Sequence, residues 1–249
     1  MMKIDIMTLF PEMCEAVLSE SIIGRARKNN LVEIRCTNIR DYSGNKHNKV
    51  DDTTYGGGMG MVMSAAPIYN CFNSLYDKEN ESKPYLIYMS PKGSTFTQNK
   101  AVELSKKEHI VFLCGHYEGV DQRVLDEIVD EEISIGDYVL TGGEIPAMAI
   151  TDAVCRMLPG VLSDDICFTE ESHFAGLLEF PQYTKPEVWQ GRRVPEVLLS
   201  GHHENIKKWR RIKSIEETFY RRPEMLETAE LTEKEKEYVK NLSGEKNRS

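Results

Sequence analysis

The sequence predicts an α/β fold in which helices cover a mostly parallel sheet. Short β-branched or aromatic runs alternate with helical patterns through the first two thirds of the 249 residues, and this alternation is typical of parallel sheets. Glycine-rich stretches follow several of the runs, at the strand ends where such sheets bind ligands. After Gly160 the alternation stops and two helical patterns follow, so we expect a small helical C-terminal domain.

Each strand is predicted from an apolar run. The five runs lie at 3–10, 31–39, 84–90, 109–115 and 132–140. Helical patterns lie at 11–28, 65–76, 97–107, 120–129, 143–157, 202–222 and 232–242, and the tail at 243–249 is expected to be disordered. The expected organisation is a first domain at 1–162, a linker or mobile loop at 163–175 and a second domain at 176–249.

Composition and cysteine use indicate a cytoplasmic protein. Hydrophobic residues make up 40% and charged residues 29% of the chain, which is ordinary for a globular protein. We find no apolar run near the ~20 residues that a membrane span needs. The six cysteines form no CxxC pair and no zinc-like grouping with the six histidines, so we expect reduced thiols.

The net charge of −9 is unevenly distributed. Residues 185–222 hold ten Lys or Arg and five Asp or Glu, so this span is +5 and the remainder −14. Phosphates respond to a local basic surface more than to total charge. The span is therefore either a solvated helix face or a nucleic-acid contact.

The stretch DDTTYGGGMGM, at 51–61, carries four glycines in five positions. No lysine follows as in a P-loop, and a dinucleotide fingerprint would need glycine where Met63 stands. The stretch is either a flexible surface loop or a cradle for a flat apolar ligand such as a base, with Tyr55 and Met59 beside it.

Three further stretches follow predicted strands: YMSPKG at 88–93, CGHYEGVDQR at 114–123 and SIGDYVLTGGEIPAMA at 134–149. Their glycines leave backbone amides and carbonyls accessible, and such groups can recognise an adenine edge. We expect the three loops to converge in one crevice that suits a nucleoside-like cofactor. Glu118 either presents its carboxylate to the ligand above the sheet or is an acid that is favoured at a helix N-terminus.

Together these stretches resemble the bacterial tRNA (guanine-37-N1)-methyltransferases of the SPOUT class. The resemblance covers nearly the whole chain. Besides the glycine stretches it rests on LFPEM (9–13), GRA (24–26), LPGVL (158–162), GLLEFPQYTKPEVW (176–189) and VPEVLLSGHHENIKKWR (194–210).

The resemblance implies a deep trefoil knot, a homodimer with the active site at the subunit interface, and S-adenosylmethionine as cofactor. Glu118 would hold the methionine end of the cofactor or the magnesium ion on which family members depend. By matching motif, the cofactor-binding residues would be Tyr88, Pro91, Gly115, Tyr117, Glu118, Gly119, Ile135, Gly136, Tyr138, Leu140, Gly142, Gly143 and Pro146.

The implied reaction methylates N1 of guanosine-37 in tRNAs that carry G at position 36. It needs a base near N1 and a cation near O6. Arg156 matches the arginine motif of the family and suits O6, although it could be a structural ion-pair partner. The family's aspartate position is Glu171 here, so Glu171 is the expected base and His173 the alternative.

The resemblance and the charge distribution also indicate tRNA contacts. The glycine loop would hold the flipped-out guanine, and the C-terminal cations would bind the tRNA backbone. The residues expected to contact tRNA are Tyr55, Gly57, Gly58, Met59, Gly60, Lys185, His202, Lys207, Lys208 and Arg210. Two rivals stay open: a knotted methyltransferase for another RNA, and an RNA-binding module without activity.

Overall fold

The structure is a computed structural model that describes residues 1–162, 171–174 and 176–246. The chain divides into two compact units, Met1–Asp165 and Ile166–Ser249. Most of the predicted loop at 163–175, and residues 247–249 of the predicted disordered tail, lie outside the described residues.

A five-stranded sheet forms the centre of the first unit, in the order β2-β1-β6-β5-β7, and every neighbouring pair is parallel. The predicted parallel sheet is therefore confirmed. Its strands are β1 (Met2–Thr8), β2 (Val32–Asn38), β5 (Tyr85–Thr95), β6 (His109–Cys114) and β7 (Glu131–Ser134), and a separate antiparallel hairpin consists of β3 (Asp51–Thr53) and β4 (Met61–Met63).

Both faces of the sheet are buried, which explains why its strands are continuous apolar runs. Ile110 and Phe112 of β6 belong to one core cluster and Val111 and Leu113 to the other, because successive side chains in a strand point to opposite faces. The covering helices are α1 (Pro11–Leu18), α2 (Ser21–Lys28), α3 (Ala65–Asn73), α4 (Gln98–Leu104), α5 (Gln122–Ile128) and α6 (Glu144–Cys155).

The single helix predicted over 11–28 is wrong, because two helices occupy this range. The hydroxyl of Ser19 donates to the carbonyl of Glu15, and Ser21 adopts a positive φ of 54°. Serine side chains that bond to nearby backbone compete with helix continuation. The chain therefore breaks after Leu18, and α2 begins at Ser21.

Two strand boundaries also differ from prediction. β7 ends at Ser134, not at 140, because the Ser134 hydroxyl donates to the Gly136 carbonyl at 2.9 Å and turns the chain. β5 does not end in a turn at Ser90-Pro91. It continues to Thr95 past an irregularity between Met89 and Ser94, where its pairing with β7 shifts register.

The β3–β4 hairpin, which the sequence did not predict, carries the glycine stretch at its tip. β4 is attached to the loop after β6 by three backbone hydrogen bonds, one of which runs from the amide of Asp121 to the carbonyl of Met63 at 3.0 Å. The amide of Met63 donates to the carbonyl of Gly119 at 2.9 Å, and the amide of Glu118 donates to the carbonyl of Met61 at 3.0 Å. The hairpin and the loop after β6 therefore form one connected surface.

The second unit contains helices and one short antiparallel ribbon. Its helices are α7 (Glu196–Leu199), α8 (His203–Arg221), α9 (Glu233–Lys246) and a 3-10 turn (Pro223–Glu227), and its ribbon pairs β8 (Val188–Trp189) with β9 (Arg192–Arg193). The tail predicted to be disordered is helical to Lys246, so that prediction is wrong for 243–246. Within the described residues no helix is long and apolar enough to cross a membrane.

Candidate active site

The loops after β6 and β7 meet β5 in one cavity of about 330 Å³ at the carboxyl ends of the strands. The predicted convergence of the three loops is confirmed. A cavity of this size is within the range of small-molecule sites. All thirteen residues predicted to bind the cofactor line it: Tyr88, Pro91, Gly115, Tyr117, Glu118, Gly119, Ile135, Gly136, Tyr138, Leu140, Gly142, Gly143 and Pro146.

Close backbone contact forms one wall of the cavity. The amide of Gly143 donates to the carbonyl of Gly115 at 3.1 Å. A Cβ at position 143 would lie 2.7 Å from Cα of Cys114, and one at position 115 would lie 2.9 Å from the Tyr88 ring. Only glycine fits at both positions, so the start of α6 lies directly against the end of β6. Burial raises the pKa of the Tyr88 phenol.

Thr8, His116 and Glu144 form a network beside the cavity that the motifs did not identify. Nε2 of His116 lies 2.8 Å from Oε2 of Glu144, and the Thr8 hydroxyl donates to Oε1 at 2.6 Å. With Glu144 ionised, both of its oxygens accept, and Nε2 of His116 is then the donor. Glu144 is only 3% exposed. A buried carboxylate requires partners, and no local sequence pattern connects Glu144 with these two.

The tip of the β3–β4 hairpin projects into solvent. Tyr55 is 100% and Met59 97% exposed, and Gly57, Gly58 and Gly60 have positive φ angles. Gly60 lies against the side chain of Glu118, because a Cβ built there would lie 2.5 Å from Cγ of Glu118. The residues predicted to hold the guanine therefore border the cavity through Glu118.

The predicted catalytic residues lie in different units. Arg156 is half-buried at the C-terminal end of α6, and its amide donates to the carbonyl of Asp152 at 3.0 Å. Glu171 and His173 belong to the second unit, where Glu171 is half-buried and His173 is exposed. The His173 amide donates to the carbonyl of Leu177 at 3.0 Å, which fixes this turn within its own unit.

Four of the five cationic residues predicted to bind tRNA are exposed in the second unit: Lys185, His202, Lys207 and Lys208. Arg210 differs, because it is half-buried and its guanidinium lies 4.7 Å from the centroid of the Phe180 ring. Arg211 pairs with Glu235 on α9, with Nε 2.7 Å from Oε1. The exposed cations suit phosphate contacts, whereas Arg211 joins two helices.

The fold and the cavity define a class: an α/β protein that receives a ligand at the carboxyl ends of parallel strands. Within that class, the sequence model of the tRNA (guanine-1)-methyltransferase TrmD family matches residues 2–228. The chain belongs to this family.

Relatives with high identity support the same assignment. A "tRNA (guanine-N(1)-)-methyltransferase" of Alkaliphilus oremlandii is 55% identical over 249 aligned positions, which cover 98% of this chain and 100% of that protein. A protein of the same name from Ruminiclostridium cellulolyticum is 58% identical over 90% of this chain and 96% of its own length. One from Bacillus cereus is 50% identical over 97% and 98%.

Proposed function

We propose that this chain transfers a methyl group from S-adenosylmethionine to N1 of guanosine-37 in tRNA that carries G at position 36. Membership of the tRNA (guanine-1)-methyltransferase family supports the reaction and the class of RNA. The observation that carries the proposal is the cavity, because all thirteen residues expected to hold the cofactor line it.

The cavity residues suit S-adenosylmethionine. The close approach of Gly143 to Gly115 keeps side chains out of the wall and leaves room for a nucleoside. Backbone amides and carbonyls of the loops at 115–119 and 135–143 would recognise the adenine edge, and Tyr88 would pack against the cofactor. When bound, S-adenosylmethionine supplies the methyl group as an electrophile.

Two side chains of the protein would then act on the guanine: one accepts a proton, and the other stabilises the negative charge that develops. The Glu171 carboxylate would accept the N1 proton of guanine, so that N1 can take the methyl group that the cofactor would supply. Arg156 donates to O6, where negative charge develops. His173 is the alternative base. Glu118, which lines the cavity, would hold the methionine end of the cofactor or the magnesium ion.

tRNA would be held from both units. The exposed hairpin residues Tyr55, Gly57, Gly58, Met59 and Gly60 would receive the guanine after it leaves the base stack. The second unit would serve as the tRNA-binding domain, in which Lys185, His202, Lys207, Lys208 and Arg210 contact phosphates or ribose. The positive charge of residues 185–222 in an otherwise acidic chain supports this division of roles.

The proposed assembly is a homodimer of knotted subunits with the active site at their interface. Membership of the tRNA (guanine-1)-methyltransferase family supports the knot and the dimer. Exposed apolar side chains support a second copy as the occupant of the neighbouring surface, because such side chains favour association. They are Phe10, Met13, Val17, Val139, Leu140 and Ile145.

We also propose a cytoplasmic location for the protein. Five cysteines of the described part of the chain are free thiols, which suits a reducing compartment: Cys14, Cys36, Cys71, Cys114 and Cys155.

The substitution Arg156→Ala tests the proposed mechanism. Methyl transfer to tRNA should fall about 100-fold or more, because one oxyanion donor is lost, while cofactor affinity measured by calorimetry should stay within about twofold. Lys106→Ala, an exposed position in the same unit, is the control. A variant at position 156 with the wild-type turnover would contradict the assigned role.

The substitutions Glu171→Gln and His173→Ala separate the two candidate bases. The residue that acts as base should, when replaced, remove the acidic limb of the pH profile of kcat. We expect that outcome for Glu171→Gln only. The reverse result would transfer the role to His173.

A further inference from the structure

The ribbon β8–β9 presents an exposed tryptophan in an unusual setting. Trp189 is 58% exposed, whereas tryptophan is on average a highly buried residue. The ribbon has only two residues in each strand, and a short two-stranded ribbon is marginally stable by itself. An exposed aromatic side chain on such an element contributes little to folding, which indicates a role in binding.

The pairing of β8 with β9 places Arg192 beside the ring of Trp189. Trp189 is directly opposite Arg192, and Val188 is opposite Arg193. Directly opposite residues project on the same face of a ribbon, so Trp189 and Arg192 share one face. Both side chains are exposed. Stacking on an aromatic ring together with contact to a nearby cation is the chemistry that proteins use for unpaired nucleotides.

Two contacts hold the ribbon in this arrangement. The guanidinium of Arg193 lies 2.7 Å from a carboxylate oxygen of Glu187, and the amide of Val194 donates to the carbonyl of Glu187 at 2.9 Å. The turn residues Gln190 and Gly191 both have positive φ, 49° and 75°, as in the tight turns that fit ribbon twist. The Trp189 face is therefore presented by a defined element.

Charge and neighbours favour RNA over a protein as the partner. Residues 185–193 contain three cations and one acid, in a chain whose net charge is −9. Just before the ribbon, Tyr183 packs on Trp209 of α8 with ring centroids 6.2 Å apart. The same helix carries the exposed Lys207 and Lys208. The chain just before the ribbon therefore packs on a helix whose exposed cations suit phosphates.

We infer that the ribbon is a nucleobase platform: Trp189 stacks on an unpaired base of the tRNA, and Arg192 contacts an adjacent phosphate. This inference rests on the proposed function, because it takes tRNA as the bound RNA. It adds Trp189 and Arg192 to the residues that position the substrate, and it assigns them no part in the chemical step.

Fluorescence of a single tryptophan tests the platform directly. The chain has two tryptophans, so Trp209→Phe leaves Trp189 as the only emitter. Addition of a tRNA transcript should quench this emission along the same titration curve that filter binding gives. Unchanged emission while filter binding shows a complex would overturn the inference. An emission change that follows protein concentration without RNA would assign the ribbon to a protein contact and would also overturn it.

Affinity measurements give the second test. Trp189→Ala should raise the Kd for tRNA about 5- to 150-fold, the range for loss of one stacked base, while Trp189→Phe should retain most of the affinity. Arg192→Ala should weaken binding and reduce the slope of log K against log salt by about 1. Lys240→Ala, exposed on α9, is the charge-matched control, and circular dichroism checks that each variant folds.

The two proposals fail in different ways. The platform alone would be overturned if the wild-type protein methylates guanosine-37 while the folded variant Trp189→Ala binds tRNA with an unchanged Kd. A wild-type protein that binds tRNA with quenched emission but methylates none would overturn the proposed function and leave the platform standing.

Discussion

Glu144 is the residue on which the wall of the cavity depends most. It is buried, and both of its oxygens are engaged, one by the Thr8 hydroxyl and one by His116. These contacts join the end of β1, the loop after β6 and the first residue of α6. The network therefore orients three elements that surround the cofactor cavity, and Glu144 and His116 act as positioning residues.

The substitution Glu144→Gln should destabilise the protein by about 1–3 kcal/mol, because an amide has one accepting oxygen where the carboxylate has two, so one of the two buried groups, Thr8 or His116, loses its acceptor. The free energy of unfolding from urea titration measures this change. Glu103→Gln, which removes the exposed carboxylate that pairs with the half-buried Lys100, should cost less than about 1 kcal/mol. Equal effects of the two substitutions would contradict the role assigned to the network.

Some site residues could be predicted from sequence and others could not. Thirteen residues that line the cavity could be named before the structure because they lie in motifs that match those of the methyltransferase family. Glu144 and its partners Thr8 and His116 are 136 and 28 positions apart, and no local pattern connects them. Only the fold brings these three side chains together.

The junction between β6 and α6 is a close backbone contact between two elements. Gly143→Ala would place a Cβ 2.7 Å from Cα of Cys114, and backbone atoms cannot move aside as a flexible side chain can. We expect a loss of about 1–3 kcal/mol in stability and loss of cofactor binding, measured by thermal unfolding with and without S-adenosylmethionine.

Gly244→Ala on α9 is the matched control for this junction. A Cβ there would contact nothing within 4 Å, so alanine should leave stability unchanged or raise it by up to about 1 kcal/mol. If S-adenosylmethionine stabilises Gly143→Ala as much as it stabilises the wild type, the restrictive contact is disproved.

The ion pair between α8 and α9 predicts acid sensitivity of the second unit. Arg211 lowers the pKa of Glu235 from its ordinary value of 4.5 to about 2. Because the folded-state pKa is depressed, the stabilisation is present above pH 4.5 and is lost as pH falls towards 2. The free energy of unfolding should therefore decrease over this range.

Comparison with Glu235→Gln isolates this contribution. Urea unfolding is monitored by Trp209 fluorescence in a Trp189→Phe background. At pH 5 the protein with Glu235 should have a higher free energy of unfolding than the protein with Glu235→Gln. The difference from Glu235→Gln should shrink towards pH 3. A difference that stays constant between these pH values would show that the ion pair is not the cause.

Elements were predicted best where their signal was local. The central strands are apolar runs, and their order in the chain gave the parallel sheet. The break between α1 and α2 was missed because the positive φ of Ser21 leaves no trace in hydrophobic periodicity. The β3–β4 hairpin was missed because its strands have only three residues each and are defined by contacts with the loop after β6.

At the scale of the whole molecule, the proposed function assigns catalytic groups to each of the two units. The first unit contains the cavity and Arg156, and the second contains Glu171 and the exposed cations. Methyl transfer as proposed requires groups from both, so neither unit should be active alone. Long, ordered sequence blocks made the reaction predictable, whereas periodicity and composition gave only the fold class and the charge asymmetry.

The most direct test of the proposed function is methyl transfer from labelled S-adenosylmethionine to two tRNA transcripts that differ only at position 37. Label should appear in the transcript with guanosine and not in the one with adenosine, and it should be lost in Glu171→Gln. The methylated transcript should stop reverse transcription at position 37, because N1 methylation blocks base pairing. Label on both transcripts, or on neither while the cofactor binds, would contradict the proposed reaction.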